Sequence, residues 1–281
     1  MSDRTLARPT SDASHAVHLG RADVHIHSAA SDGVAGIDTI LRYVQEETDL
    51  DVIAIADHER VDAALAAREM AASRGYRFEV VVGEEITTRG GHLLGLFLSR
   101  PVPPLRSLRW SVAAIHEQGG LAIPAHPLVP IPMSASARSL RALIDDPDPA
   151  ARIDGLEVFN PTTAGRRWHP RVVAFAAAHG LAGLGSSDAH LPAHIGQAST
   201  RFEGRTADDL RRAIEARATT WEGEFYPSMA QVGMLGRQVR KYVRDVRDEV
   251  RGKLLRDGTG RDLGYPGGRR RPARYDGDAS S

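Results

Sequence analysis

The 281-residue chain contains no cysteine. That removes disulfides, thiolate nucleophiles and Cys-ligated zinc or iron–sulfur sites. It also lacks net charge, because 36 basic side chains balance 36 acidic ones. A general polyanion binder is usually basic overall, so the sum argues against one. The first twenty residues have no apolar core of a signal sequence, and no run approaches the length of a membrane span. A cytoplasmic location is the default expectation. What the chain does hold is 12 histidines. A metal site must then be built from imidazole and carboxylate, which favours Mn, Fe or Zn over soft-metal chemistry.

Composition divides the chain. Residues 1–20 read as a flexible lead-in, and 21–225 alternate short apolar runs with helical patterns. Residues 226–256 carry a basic amphipathic helix with Val232, Leu235, Val239, Tyr242, Val243, Val246, Val250 and Leu254 on its apolar stripe. Residues 257–281, rich in Gly, Arg and Asp, read as a disordered tail. From Ala230 onward, thirteen basic residues face seven acidic ones; that segment carries +6 and the remainder −6. The stripe suits packing on the preceding domain or on a second subunit. Its arginine face leaves a nucleic-acid or membrane-surface partner open. The oligomeric state is undetermined.

Between 21 and 225, strands are expected at Ala22–Ser28, Asp51–Ala56, Glu79–Val82, His92–Leu98, Leu121–Pro124, Gly155–Phe159 and Leu181–Gly185. Helices are expected at Thr39–Glu47, Ala63–Ser73, Leu108–Gln118, Val172–His179 and Asp208–Ala216. Gly90-Gly91 suggests a hairpin turn. The alternation implies an α/β fold of parallel strands with helices outside. In such barrels the chemistry sits at the carboxyl ends of the strands. Here strand after strand ends in an ionisable or polar residue: His25 and His27, Asp57-His58, Glu84-Glu85, His126, Asn160, then Asp188 and His190. On the first strand Asp23, His25 and His27 share one face, and Val24 and Ile26 the other. Singly, each has a plainer explanation: surface histidines, a helix cap at Asp57, a turn at Asp32-Gly33. One metal site explains them together.

The ordered series His25-x-His27, Asp32-Gly33, Asp57-His58, Gly83-x-Glu85, His92, Ala125-His126-Pro127, the run from Gly155 to Asn160 and Ser187-Asp188-Ala189-His190 resembles the PHP (polymerase and histidinol phosphatase) family over about residues 21–220. The resemblance implies a distorted (β/α)7 barrel, two or three divalent ions (Mn, Fe or Zn), and hydrolysis of a phosphate mono- or diester through a metal-bound hydroxide. It implies that His25, His27, Glu85 and Asp188 hold one ion. Glu85 bridges to a second, completed by His92 and His126, and Asp32, His58 and His190 hold a third. Glu85, Asp188 and His190 form the catalytic set. Asp57 and Asp23 would orient liganding imidazoles. Arg166 and Arg167 are candidates to clamp phosphate, with Arg89 a weaker one, and His194 is a candidate leaving-group acid.

Only 33 residues separate His92 from His126, too few for the helical insertion of some phosphodiesterase relatives. That argues against specific nucleotide-bisphosphate or RNA-end trimming and for an open pocket, with residues 127–147 as a short lid. A small phosphorylated substrate is the expected partner. The alternatives are a histidinol-phosphatase-like monoesterase, an RNA or nucleotide phosphodiesterase or exonuclease, a non-catalytic metal-binding regulatory module, and a metal-dependent amidohydrolase. The only lysines, Lys241 and Lys253, lie in the tail, so no carboxylated lysine bridges metals in the barrel.

Overall fold

The computed structural model describes residues 18–131 and 133–226. The lead-in up to residue 17, and the expected helix and tail beyond Tyr226, lie outside the described residues. The first half of the described chain runs β1 (Leu19–Ile26), α1 (Ile37–Glu47), β2 (Val52–Ile55), α2 (Asp62–Ser73), β3 (Glu79–Thr88), β4 (Gly91–Leu96), α3 (Leu108–His116) and β5 (Leu121–Pro124). The second half runs α4 (Ala137–Ile144), β6 (Gly155–Phe159), α5 (Thr163–His179), β7 (Ala182–Gly185), β8 (Ala198–Glu203), α6 (Ala207–Glu215) and β9 (Thr220–Gly223).

These elements make a mixed α/β fold. A seven-stranded sheet has the order β5-β4-β3-β2-β1-β8-β9, and β6 pairs with β7. Two ties curl the larger sheet around the smaller pair. The Asp154 amide donates to Ala122 O at its β5 edge, and Ala189, just past β7, bridges Ile26 of β1. The all-parallel expectation is corrected. Only β1–β2, β2–β3 and β6–β7 are parallel; β3–β4, β4–β5, β1–β8 and β8–β9 are antiparallel. The reason is local for β3 and β4. Arg89 and Gly90 alone connect them, and a two-residue link can join only antiparallel strands. Gly91, at φ 121°, takes a backbone conformation that a side chain would resist.

The strands are apolar on both faces because both are covered. Val52 and Ala54 of β2 pack with Val24, Leu94, Ile123 and Leu184 inside the curl. Ile53 and Ile55 pack outward against Leu41 and Val44 of α1 and Ala64 of α2. Each buried Ile or Leu contributes about 1.5–3 kcal/mol relative to exposure. The simple alternation expected for β1 fails at one point. A bulge between Asp23 and Ile26 shifts the register against β2, so Val24 packs in the inner layer and Ile26 in the outer one. An extra residue on one strand resets which side chains face the interior.

Two helical segments differ from expectation. The stretch 127–147, read as a lid, contains α4, capped by Ser136, whose hydroxyl accepts from Ser139 N at 3.1 Å. The helix expected from Val172 begins at Thr163, capped by Thr162, which accepts from Gly165 N at 3.1 Å. Pro170 sits inside α5; it reads as a breaker in sequence but is carried by the capped first turns. Strands β8 and β9 were not anticipated either.

Glu84 is a carboxyl in the outer apolar layer, fully buried on the face of β3 that carries Val80, Val82 and Ile86. One oxygen accepts from Val102 N at 2.8 Å, and the other, Oε1, has no partner. Burial pushes its pKa up to about 8. The folded state therefore holds the proton, and the associated stability is present below the unfolded value and lost as pH rises through about 8. Glu84→Gln is expected to be more stable than wild type at pH 9, by on the order of 1–3 kcal/mol, and near neutral at pH 5. Urea unfolding at the two pH values checks this; an equal change at both would show that Glu84 is not protonated in the fold.

Candidate metal centre

The topology sends one set of strand ends to one place. His25 lies in β1 and His27 just beyond it, His58 follows β2, and His126 follows β5. Asp188 and His190 follow β7, whose extension runs parallel to β1. Glu85 is in the second half of β3. His92 is early in its strand, but β4 runs antiparallel, so it sits beside Thr87 and near Glu85. All nine side chains expected to bind metal converge here.

Glu85 is the hub, buried at 2 % exposure. Its Oε1 lies 2.7 Å from His92 Nδ1 and 3.0 Å from His126 Nε2. Its Oε2 lies 3.3 Å from the Nε2 atoms of His25, His27 and His58. The two oxygens thus face two different imidazole groups, as a bridging carboxylate would. Asp188 Oδ1 lies 3.4 Å from His27 Nε2 and 3.6 Å from His25 Nε2. On the far side of His27, Nδ1 lies 3.3 Å from Asp32 Oδ1, and His190 Nε2 lies 2.9 Å from Asp32 Oδ2. Ligating atoms lie within 4.8 Å of one another in four groups: His25–His27–Asp188, His27–His58–Glu85, His27–Asp32–His190 and Glu85–His92–His126. The third-ion partition differs in one respect. His58 is nearer Glu85 (3.3 Å) than Asp32 (3.9 Å).

These residues fit metal ions. His25 Nε2 and both ring nitrogens of His27 are buried with no hydrogen-bond partner, although carboxylate oxygens lie 3.3–3.6 Å away. Atoms ~2.1 Å from a shared ion stand about 3.0–3.4 Å apart. The nitrogens therefore point at common space and not at each other's partners. The electrostatics agree. Burial alone would raise the Glu85 pKa, but His58, His25 and His92 hold it well below the carboxylate range. Burial alone would lower His27, but Asp188, Glu85 and Asp32 push it up to about 10. An environment that favours a protonated imidazole favours a divalent cation more strongly.

Buried carboxylates behind the cluster hold its loops. Asp57 accepts from Ser28 N at 2.7 Å, Ser28 Oγ at 2.6 Å and Ser31 Oγ, which shapes the turn leading to Asp32. Gly33 packs against the His27 carbonyl so closely that a Cβ would overlap it. Asp23 accepts from Ser187 N at 3.0 Å, Ser187 Oγ at 2.6 Å and Gly196 N at 2.9 Å. Both aspartates were expected to orient imidazoles; they orient backbone instead. Asp188 and His126 have φ of 51° and 29°, a left-handed conformation that costs about 1 kcal/mol or more at a non-glycine residue.

The carboxylate that does hold an imidazole is Glu157, which sequence reasoning left without a role. Its Oε1 lies 2.9 Å from His25 Nδ1 and accepts from Ser186 Oγ at 2.6 Å. Its Oε2 accepts from His126 N and from Asn160 Nδ2 at 3.1 Å. Asn160 also reaches Asp188 Oδ2 at 3.3 Å. The signal was a lone carboxylate inside an otherwise apolar, fully buried strand. Tyr226, also missed, donates from Oη to Ser187 O at 2.5 Å.

The residues expected to bind substrate make contacts of their own. Arg166 and Arg167 are exposed on the first turns of α5, over the rings of Phe225 (5.3 Å) and Trp168 (5.9 Å). Neither has a described hydrogen bond or ion pair with the nine. His194 is buried and stacked 4.3 Å from the Tyr226 ring. Arg89 lies at the β3–β4 turn, its amide donating to Arg106 O.

Comparisons with known proteins agree on family. The PHP-associated family model (PHP_C) matches residues 166–219, which include Asp188 and His190. The uncharacterized protein MJ1587 of Methanocaldococcus jannaschii is 35% identical over 151 residues, covering 50% of this chain and 81% of its own. A 5'-3' exoribonuclease of Haemophilus influenzae is 30% identical over 109 residues, 36% of this chain and 37% of that protein; the chain thus spans little more than a third of it. The crystal structure of a two-domain Bacteroides vulgatus protein, described as containing a predicted PHP-like metal-dependent phosphoesterase, superposes with a TM-score of 0.61 at 20% identity, over 74% of this chain and 66% of that one. With the fold, the convergent cluster and these relatives together, the chain belongs to the PHP superfamily.

Proposed function

We propose that this protein is a metal-dependent phosphoesterase that hydrolyses a phosphate mono- or diester at the cluster centred on Glu85. The observation that carries the reading is the convergence of nine His, Asp and Glu side chains with buried imidazole nitrogens aimed at shared space. An all-nitrogen and oxygen donor set suits two or three Mn, Fe or Zn ions. Such ions supply Lewis acidity, neutralising phosphate oxygens and lowering the pKa of water to about 7. We read the curled sheet and the β6–β7 pair as a distorted (β/α)7 barrel of the PHP type.

The chain's own residues then have separable tasks. Glu85 fixes the spacing of two sub-sites through its two oxygens. His25 and His126 are set by Glu157, which holds one by its ring and the other by its backbone. His190, held between Asp32 and the Asp188 carbonyl, and Asp188 flank the third sub-site. Among the described residues no helix is long and apolar enough to cross a membrane.

The test is direct. Metal content is measured on the purified chain. Hydrolysis of p-nitrophenyl phosphate and bis-p-nitrophenyl phosphate is followed with and without Mn. At least one ester is expected to be cleaved in a Mn-stimulated reaction, and His27→Ala and Asp188→Ala are expected to lose both metal and activity. Unchanged metal content and turnover in both variants would remove the site assignment.

A further inference from the structure

Charge is segregated on the surface of this domain. Helices α1, α2 and α6 carry eight acids against four arginines (Arg42, Arg68, Arg211 and Arg212). Helices α4 and α5 carry five arginines (Arg138, Arg141, Arg166, Arg167 and Arg171) and no acid at all. All five are exposed, and among the described residues none has an ion pair. Of the acids that follow α4, Asp146 and Asp148 pair with Arg109 at 2.8 and 3.3 Å, and Asp145 alone stands near the arginines, without a described ion pair to them. In a region whose overall charge is −6, this is a concentrated positive face.

The face is continuous and holds aromatic rings. Arg141 of α4 lies over Phe175 of α5 at 5.7 Å. Trp168 lies between two guanidiniums, with Arg167 at 5.9 Å and Arg171 at 5.7 Å. The face begins beside the metal centre: α4 follows the loop in which Ser134 Oγ donates to His126 O, and α5 follows Asn160, whose amide reaches Asp188. Arg171 borders a groove of about 330 Å³ walled by Leu128, Val129 and Ile131. Val129 also lines a small cavity of about 10 Å³, room for about one water, with Trp168, Gly165, His126 and Asn160.

We propose that the α4–α5 face is a docking track for single-stranded nucleic acid, laid so that one phosphodiester reaches the metal centre. Spaced arginines free of ion pairs among the described residues match a repeating phosphate backbone. A tryptophan among them offers a stacking platform for bases, the combination that single-strand binders use. A small monoester has no use for five cations on two helices. A membrane surface is less well matched, because a helix lying in lipid presents exposed apolar side chains; among the described residues α4 and α5 carry no large exposed apolar side chain, and Ile131 alone stands exposed at the groove beside Arg171. The absence of room for a capping insertion suits a strand laid across an open groove. The delivery step rests on the phosphoesterase reading; the docking does not.

The test uses the full-length protein and fluorescence anisotropy of a short fluorescein-labelled single-stranded RNA, in EDTA so that turnover does not intervene. Wild type is expected to bind, with affinity falling as salt rises. The triple variant Arg138→Glu/Arg141→Glu/Arg171→Glu is expected to bind at least tenfold more weakly, with the slope of log K against log salt reduced by about 2. Trp168→Ala is expected to cost about fivefold or more. With metal restored, the ratio of RNA cleavage to bis-p-nitrophenyl phosphate cleavage should fall at least tenfold in the triple variant, with metal content and melting temperature unchanged. Three results would overturn the proposal: no binding by wild type, equal binding by the triple variant (as when basic residues beyond 226 carry it), or retention on phosphatidylserine vesicles without RNA binding. Loss of RNA binding in the variant supports the track even where no ester is hydrolysed, and in that case the phosphoesterase reading alone fails.

Discussion

Replacing Glu85 by glutamine is expected to strip metal from the centre and lower phosphoester hydrolysis by on the order of a thousandfold, while the chain stays folded. Five imidazoles lie within 3.3 Å of the two carboxylate oxygens. Glutamine keeps the shape but removes the charge, and it replaces one ligating oxygen with an NH2 group that cannot bind a cation. Both sub-sites that share Glu85 are therefore weakened at once, unlike the effect of losing His92 or His58 alone. The fold should tolerate the change, because the imidazoles can lose protons when their counter-charge goes. Metal analysis, Mn-dependent turnover and a melting curve separate the effects. Full metal occupancy in Glu85→Gln would mean that this carboxylate does not bridge.

Glu157→Ala is expected to act on both stability and metal affinity. The side chain is buried and joins four groups: the His25 ring, the His126 amide, Ser186 Oγ and Asn160 Nδ2. Removing it leaves those groups buried without their acceptor, a loss on the order of 3–5 kcal/mol, or a fall in melting temperature of about 10 °C for a domain of this size. The surviving folded protein should bind metal about 10- to 100-fold more weakly, since a partner behind a liganding imidazole fixes its orientation. Glu157→Gln should recover much of the stability and less of the affinity. Isothermal titration with Mn and thermal unfolding check the two parts. A variant that loses stability but keeps wild-type affinity would make Glu157 a packing residue only.

The sequence carried the ligating residues more clearly than their supports. His25, His27, His126 and Asp188 stand at strand ends, where apolar runs stop, while Glu85 lies inside a β3 that runs on to Thr88, past the expected end at Val82; β5 and β6 have the bounds their apolar runs suggested. The pairing direction of β4 was only half visible. The Gly-Gly turn marked a hairpin, but the alternation of strands and helices pointed to a parallel sheet throughout. Strands β8 and β9 were invisible because Thr, Arg and Glu interrupt their apolar pattern; pairing of β8 with β1 and of β9 with β8 supplies what local propensity does not. The β1 bulge depends on register with β2, which no single strand encodes. Asp23 and Asp57 were legible as supports of the site, and Glu157 was not read at all; the acceptor roles arise from loops distant in sequence, as with Asp23 and Ser187.

The central claim is that one bridged metal cluster lies at Glu85. It is tested most directly by an anomalous-difference map from a crystal of the purified protein grown with Mn. Peaks are predicted within coordination distance of both Glu85 oxygens, one shared with His92 and His126 and another with His25, His27 and Asp188, ~2.0–2.3 Å from their ligating atoms. A map with metal bound elsewhere, or with no peak beside Glu85 at saturating Mn, would contradict the account.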